Sequence, residues 1–258
     1  MLIRKLYLLA LCLGTVVLLA ACGGGSSAGG GGGGAGEAAT EIDPATAGSI
    51  SGSVTFEGAA PELAIIRMDA EPTCQAAYGE EPRAQNVIVN DNGTLANVFV
   101  YVKSGLEGMS FPPPGEPVVL DQVNCRYEPH VLGVQTDQTL LIRNSDDVLH
   151  NIHPQPQNSR PFNIGQPKQG METERTFSAA EIMVPVGCDV HGWMSAYIGV
   201  VDHPYFAVTS SDGSFALPNL PPGDYVVEAW HEEYGAQEMS VTVGASEAAS
   251  ADFTFKGS

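Results

Sequence analysis

Apolar and polar positions alternate in many short runs along this chain. Ile50 to Phe56, Ala96 to Val102 and Leu132 to Ile142 place apolar side chains at nearly every second residue. That period of two marks strands with one face on a core. Shorter apolar runs span Met183 to Val186, Tyr197 to Val201, Ser214 to Leu217, Tyr225 to Trp230 and Met239 to Val243. Clusters of Gly, Pro, Asn and Asp separate them, and Ser211-Asp212-Gly213-Ser214 has the composition of a hairpin turn. No apolar stripe at helical spacing lasts longer than about two turns. Short strands with turn residues between them predict an all-β chain built as sandwiches.

Composition narrows the class. The 258 residues allow one or two domains. With 30 Asp and Glu against 11 Lys and Arg, the formal charge is −19. Phosphate recognition needs a basic surface, so a generic nucleic-acid binder is excluded. Basic partners are favoured and anionic membrane faces are not. The 30 Gly and 18 Pro suit turns and strand ends better than helix interiors.

The first residues read as an address. Arg4 and Lys5 precede an apolar stretch from Leu6 to Leu19, too short for a comfortable membrane span. It ends in Leu19-Ala20-Ala21-Cys22, which resembles the lipobox of bacterial lipoproteins. That resemblance implies a signal peptide over 1–22 and a lipid on Cys22. Residues 23–48 form a Gly-rich linker, and 10 of the 30 Gly lie between Gly23 and Gly36. Removing Arg4 and Lys5 takes the charge from −19 to −19 − 2 = −21. Gly23, rather than Asp, after the lipidated Cys implies the periplasmic face of the outer membrane or the cell surface.

Of the five Cys, Cys12 leaves with the signal and Cys22 takes lipid, so an odd number remain in an oxidising space. Cys188 stands in Gly187-Cys188-Asp189-Val190-His191-Gly192-Trp193-Met194. Cys-x2-His-x2-Met puts a thiolate, an imidazole and a thioether on one loop. Two His and one Cys with a weak axial Met suit copper. The second His comes from Val148-Leu149-His150-Asn151-Ile152-His153, with His150 favoured and His153 its rival. Strand alternation turns the two to opposite faces. His130, His203 and His231 show no ligand spacing and read as structural or surface residues.

Residues 117–203 resemble the cupredoxins, the type 1 blue copper proteins, with loop spacing most similar to amicyanin. The resemblance implies a Greek-key β-sandwich holding one type 1 copper on His150, Cys188, His191 and Met194. Asn151 matches the Asn that stiffens the ligand loops. Cys74 and Cys125 are then left as a pair, and a disulfide between them is expected.

The C-terminal part carries a second resemblance. Ala207 to Phe215 and Leu220-Pro221-Pro222-Gly223-Asp224-Tyr225 resemble the carboxypeptidase regulatory-like, transthyretin-like β-sandwich. Ser51-Gly52-Ser53-Val54 and Ala96 to Val100 echo its opening strands, yet lie upstream of the copper motif. Residues 49–116 are therefore an N-terminal β segment open to two readings. Either it joins 204–258 in a split sandwich with the cupredoxin inserted, or it joins 117–203 in a linear arrangement.

Four protein ligands leave no open position for a substrate, so the expected role is one-electron transfer and not catalysis. The resemblance implies that His191 offers its edge as the electron port, with Pro154, Gly192 and Trp193 as an apolar docking rim. Surrounding acids favour a basic redox partner, cytochrome-like or a dehydrogenase, with a rate that falls with salt. Multicopper oxidases flank the type 1 Cys with His, whereas here the flanks are Gly187 and Asp189. Two other readings stay open: a copper storage or delivery lipoprotein, and a cell-surface scaffold without redox role.

Overall fold

The computed structural model describes residues 38–257. The expected signal peptide, with Cys22, and the expected linker up to residue 37 lie outside the described residues. Among the described residues no helix is long and apolar enough to cross a membrane.

The chain is all-β. Strand β1 (Gly48–Glu57) is followed by one short helix, α1 (Pro72–Ala76), and by β2 (Phe99–Ser104). The middle of the chain forms β3 (Val118–Val123), β4 (Arg126–Glu128), β5 (Val131–Gln135), β6 (Leu140–Asn144) and β7 (His150–Pro154). It continues through β8 (Ile164–Gln166), β9 (Met171–Arg175), β10 (Glu181–Gly187) and β11 (Ser195–Val201). The last part adds β12 (Phe206–Val208), β13 (Ser214–Leu220), β14 (Gly223–His231), β15 (Gly235–Val243), β16 (Ala248–Ser250) and β17 (Phe253–Lys256).

These strands form four sheets. Strand β1 pairs with β13, β16 and β17, all of them in the last part of the chain. Strand β2 lies between β12 and β14, and β15 follows β14. Together these two sheets enclose a core that includes Ile50, Val54, Val100, Phe215, Val227 and Phe255. The alternation seen at 50–56 and 96–102 faces this core. In the middle of the chain the orders are β5-β11-β10-β7-β8 and β4-β3-β6-β9, around Leu120, Tyr127, Ile142, Ile152, Val186 and Ile198.

Three details differ from the sequence pattern. The run Leu132 to Ile142 is two strands, β5 and β6, in different sheets. Asp137 between them adopts a positive φ of 60°, which turns the chain between the layers. The Ser211–Ser214 turn is real but is no hairpin. It connects β12 to β13 across two sheets, with Gly213 at φ +70° and the Thr94 side chain where a Cβ would sit. Finally, 49–116 is not a continuous β segment. Residues 61–86 form a strap whose two legs bond each other, Ile66 N to Pro82 O at 2.7 Å and Ala84 N to Ala64 O at 2.9 Å. Its Met68 and Cys74 are fully buried in the core of the middle strands.

A third cluster joins the two sandwiches. Phe99 on β2 packs with Val131, Met183 and Val201. Gly133 and Gly199 give its ring room, since a Cβ on either would stand 2.8 Å or less from it. His130 and Glu232 add a contact of 2.5 Å from one sandwich to the other. The His130 Nδ1 faces the Ser195 carbonyl at 3.1 Å, so both ring nitrogens have partners.

Two tests follow from this packing. Gly52 lies so close to the chain at 251 that a Cβ would fall 1.8 Å from the Ala251 carbonyl oxygen. Gly52→Ala should cost about 3 kcal/mol or more, read as a lowered urea midpoint. His231 is buried between Tyr234 and Phe255, and burial holds its imidazole down to about 4. Between pH ~6.5 and ~4 the unfolded chain takes up a proton that the folded chain refuses. Stability should therefore fall as pH drops through that window, by up to about 3 kcal/mol from this group. His231→Phe should flatten the dependence of the urea midpoint on pH.

Candidate metal centre

The site is assembled from two connections, β6 to β7 and β10 to β11. The first is shaped by Asn144, which is fully buried. Its Nδ2 donates to Val148 O at 3.0 Å and Gln166 O at 2.8 Å, and its Oδ1 accepts from Asp146 N at 2.9 Å. Gln122 and Gln166, also buried, bond each other beneath it at 2.5 Å. These hydrogen bonds hold one loop geometry, although the buried Gln122 Oε1 has no partner in it.

Asp146 then does two things. Its carboxylate accepts backbone N–H bonds from Asn124 and Cys125, both at 2.8 Å, in a turn where those residues have φ of 53° and 55°. Its Oδ2 also lies 2.8 Å from His150 Nε2. An ionised carboxylate only accepts, so Nε2 carries a hydrogen, and when the ring is neutral this leaves the Nδ1 lone pair facing inward. Burial acts first to raise the Asp146 carboxyl, but His150 and the two N–H groups outweigh it and hold the group below its usual range.

The second connection bears Cys188, His191 and Met194. Asn151 on β7 shapes it. Its Oδ1 accepts from Asp189 N at 2.7 Å, Val190 N at 3.3 Å and the Cys188 thiol at 3.2 Å. Its Nδ2 donates to Asn163 Oδ1 and Asp189 Oδ2. The Tyr127 hydroxyl reaches Asn151 O at 2.5 Å and Gly187 O at 2.9 Å, so one buried side chain ties both ligand-bearing strands. Met194 N donates to His191 O at 2.9 Å and closes the loop.

The result is a buried convergence. Donor atoms of His150, Cys188 and His191 all lie within 4.8 Å of one another. The two Nδ1 atoms face each other at 2.9 Å. Two nitrogens each about 2.0–2.1 Å from one ion would stand roughly 3–3.5 Å apart, so the donor set fits a metal with little movement. Met194 is buried in the same core as Cys188. Burial works to raise the Cys188 thiol, yet His150 and backbone N–H groups prevail and favour the thiolate. For His150, burial works downward and Asp146 outweighs it, so the ring lies above its ordinary value. Burial and the neighbouring His150 hold His191 below its own. The second cluster, Cys125, Asp146 and His150, is not a rival site, because the Cys125 sulfur is in a disulfide.

His153 lies outside the convergence. It is half-buried and pairs with Asp189 Oδ1 at 3.0 Å. Cys74 and Cys125 form a disulfide with Cα atoms 5.5 Å apart, leaving Cys188 as the free cysteine among the described residues. The docking rim needs correction. Pro154 is buried and paired opposite Val186, so it forms no part of an exposed rim. His191 is only 3% exposed, its ring tilted against Trp193 at 4.9 Å, so it presents no open edge. Asp146 and Tyr127 were missed from the sequence. The Asn-Ser-Asp turn four residues before His150 was the available signal for Asp146. Nothing local marks Tyr127.

Comparison with known proteins gives the following. Residues 195–256 match the family model of the carboxypeptidase regulatory-like domain. The match leaves out β1 and β2, which complete the two C-terminal sheets. A 53-residue stretch is 43% identical to a probable rhamnogalacturonate lyase A of Aspergillus flavus, covering 20% of this chain and 10% of that one. The chain thus spans about a tenth of that relative's length. Among solved structures, a copper-containing nitrite reductase from Thermus scotoductus aligns at 20% identity and TM-score 0.31, over 38% of this chain and 24% of that one. An oxidised amicyanin mutant aligns at 20% identity and TM-score 0.30, over 39% of this chain and 97% of that one. A purple cupredoxin from Nitrosopumilus maritimus aligns at 22% identity and TM-score 0.28, over 33% of this chain and 97% of that one.

The Asn151 side chain carries much of the loop geometry. Asn151→Ala removes the common acceptor of the buried Cys188 thiol and of two part-buried backbone N–H groups. The metal-free protein should lose about 2–3 kcal/mol, seen as a lower denaturant midpoint.

Proposed function

We propose that the protein is a one-electron carrier holding a single type 1 copper on His150, Cys188, His191 and Met194. The observation that carries this reading is the buried meeting of two inward-facing Nδ1 atoms with the Cys188 sulfur, His150 held in its tautomer by Asp146. Two imidazoles and a thiolate with a thioether nearby are the donor set of blue copper. When bound, copper supplies reversible one-electron chemistry. The chain's part is to hold the ligands still. Asn151 fixes the Cys188 loop, Tyr127 ties the two strands and Asp146 orients His150. Such fixed partners limit rearrangement when the charge at the centre changes.

The remaining parts of the reading rest on the sequence. Cys22 anchors the chain by lipid, and the Gly-rich linker tethers it to the periplasmic face of the outer membrane or the cell surface. The redox partner is a basic protein, drawn by the acidic surface. The copper sandwich is an insertion in a regulatory-like sandwich, a reading supported by the pairing of β1 with β13, β16 and β17. Storage or delivery is disfavoured by the burial of the His150, Cys188 and His191 donors, because exchange needs access.

Added Cu(II) should give the reduced, folded protein an intense visible band from thiolate-to-copper charge transfer. Cys188→Ala should abolish it and His153→Ala should keep it. A colourless protein would defeat the proposal. Metal loading should weaken as pH falls, since the imidazoles must be free of protons at Nδ1 and the thiol must be ionised. A competition titration with a chelator at several pH values measures this.

A further inference from the structure

The ligand loop is covered from one side. The strap of residues 61–86 is fastened to the metal sandwich by the Cys74–Cys125 disulfide. Three further contacts hold it there. The Tyr78 hydroxyl donates to Asn124 O at 2.7 Å, the Arg126 guanidinium lies over the Tyr78 ring at 5.3 Å, and Arg126 also donates to Arg83 O. Met68 and Cys74 are fully buried in the core that holds Cys188 and Met194. Glu71, at the start of α1, is near enough to act electrostatically on His191. The His191 imidazole is itself buried, with 3% of its surface exposed.

Trp193 packs on that imidazole and is partly exposed. Its ring lies 4.9 Å from the His191 ring at 34°. Its Nε1–H donates to Cys125 O at 3.0 Å, on the disulfide itself. It is half-buried and lines a cleft of about 240 Å³ between the strap and the ligand loop, with Ile66, Ala84, Asn86 and Arg126. The cleft reaches Trp193 and Met194 but has no wall from His191.

We propose that the strap closes the His191 edge and that Trp193, in the wall of this cleft, is the contact through which the electron passes. This deepens the copper reading and rests on it. One electron crosses between the one-electron centre of a redox partner and the metal. No bond forms or breaks and no proton moves. The disulfide holds both parts in place, because it fastens the strap and because its Cys125 carbonyl orients the indole. Trp193 is the contact with the partner and lies outside the ligand set.

Two measurements test this on the full chain. In the metal-free protein, carbethoxylation by diethylpyrocarbonate followed by peptide mass spectrometry reports the exposure of each His. His153, half-exposed, should react quickly and His191 slowly. Replacing both Cys74 and Cys125 by Ser should speed His191 by roughly 30-fold or more, as the strap opens more often. In the copper-loaded protein, first reduced to Cu(I) with ascorbate, oxidation by a cobalt(III) phenanthroline complex is followed at the visible band of the Cu(II) product, each cobalt(III) taking one electron to become cobalt(II). Trp193→Leu should keep the band and slow oxidation by about tenfold, equal to about 1.4 kcal/mol in barrier. Trp193→Phe, which keeps a ring against His191, should recover most of that rate. If His191 reacts as fast as His153 in the unaltered chain, the cover is refuted. If Trp193→Leu keeps both band and rate, the route is refuted. If no band forms in the unaltered chain, the copper reading has failed, and the route with it, while the labelling still decides whether the strap covers His191.

Discussion

The contact between Asp146 and His150 is the one on which the site depends. It decides which ring nitrogen faces the cavity. Asp146 can do this because its carboxylate is itself held, by the backbone N–H groups of Asn124 and Cys125. The turn that supplies them also carries the disulfide. The orientation of His150 is thereby linked to the fastening of the strap. A loosened strap would move the turn, the turn would move Asp146, and the imidazole would lose its tautomer.

The second constraint is the route of the chain. Strand β1 is complete only when β13, β16 and β17 arrive, more than 150 residues later. The middle sandwich must therefore begin and end near one place. Phe99 against Gly133 and Gly199, and His130 against Glu232, supply the contacts there. Strand β2 pairs with β14 while its Phe99 packs onto β5 and β11, so it serves both sandwiches.

Much of the fold was legible. The alternation at 50–56 and 96–102 gave strands facing a core, because inward and outward positions repeat every two residues. The loop from Cys188 to Met194 was legible because its donors lie within seven residues. Strand alternation leaves room for only one of His150 and His153, and the match of His150-Asn151 to the cupredoxins favours the first. The split of Leu132–Ile142 was not legible. A continuous period of two carries no mark where a strand leaves one sheet for another, and Asp137 alone signals it. The strap was also missed. Its sequence lacks periodicity, and its anchors are Met68 and Cys74, which read as ordinary residues until their neighbours are known.

By itself the sequence determined the β class, the donor types and their spacing on one loop, since these are properties of residues close along the chain. Only the tertiary structure decided which strands close each sheet, which His150 nitrogen faces inward, and that His191 is covered. Burial and hydrogen-bond partners are set by groups far apart in the chain: Asn124 and Cys125 for Asp146, Tyr127 for Asn151 and Gly187, and the strap for the ligand loop. No local pattern encodes such meetings, because each depends on how the whole chain packs.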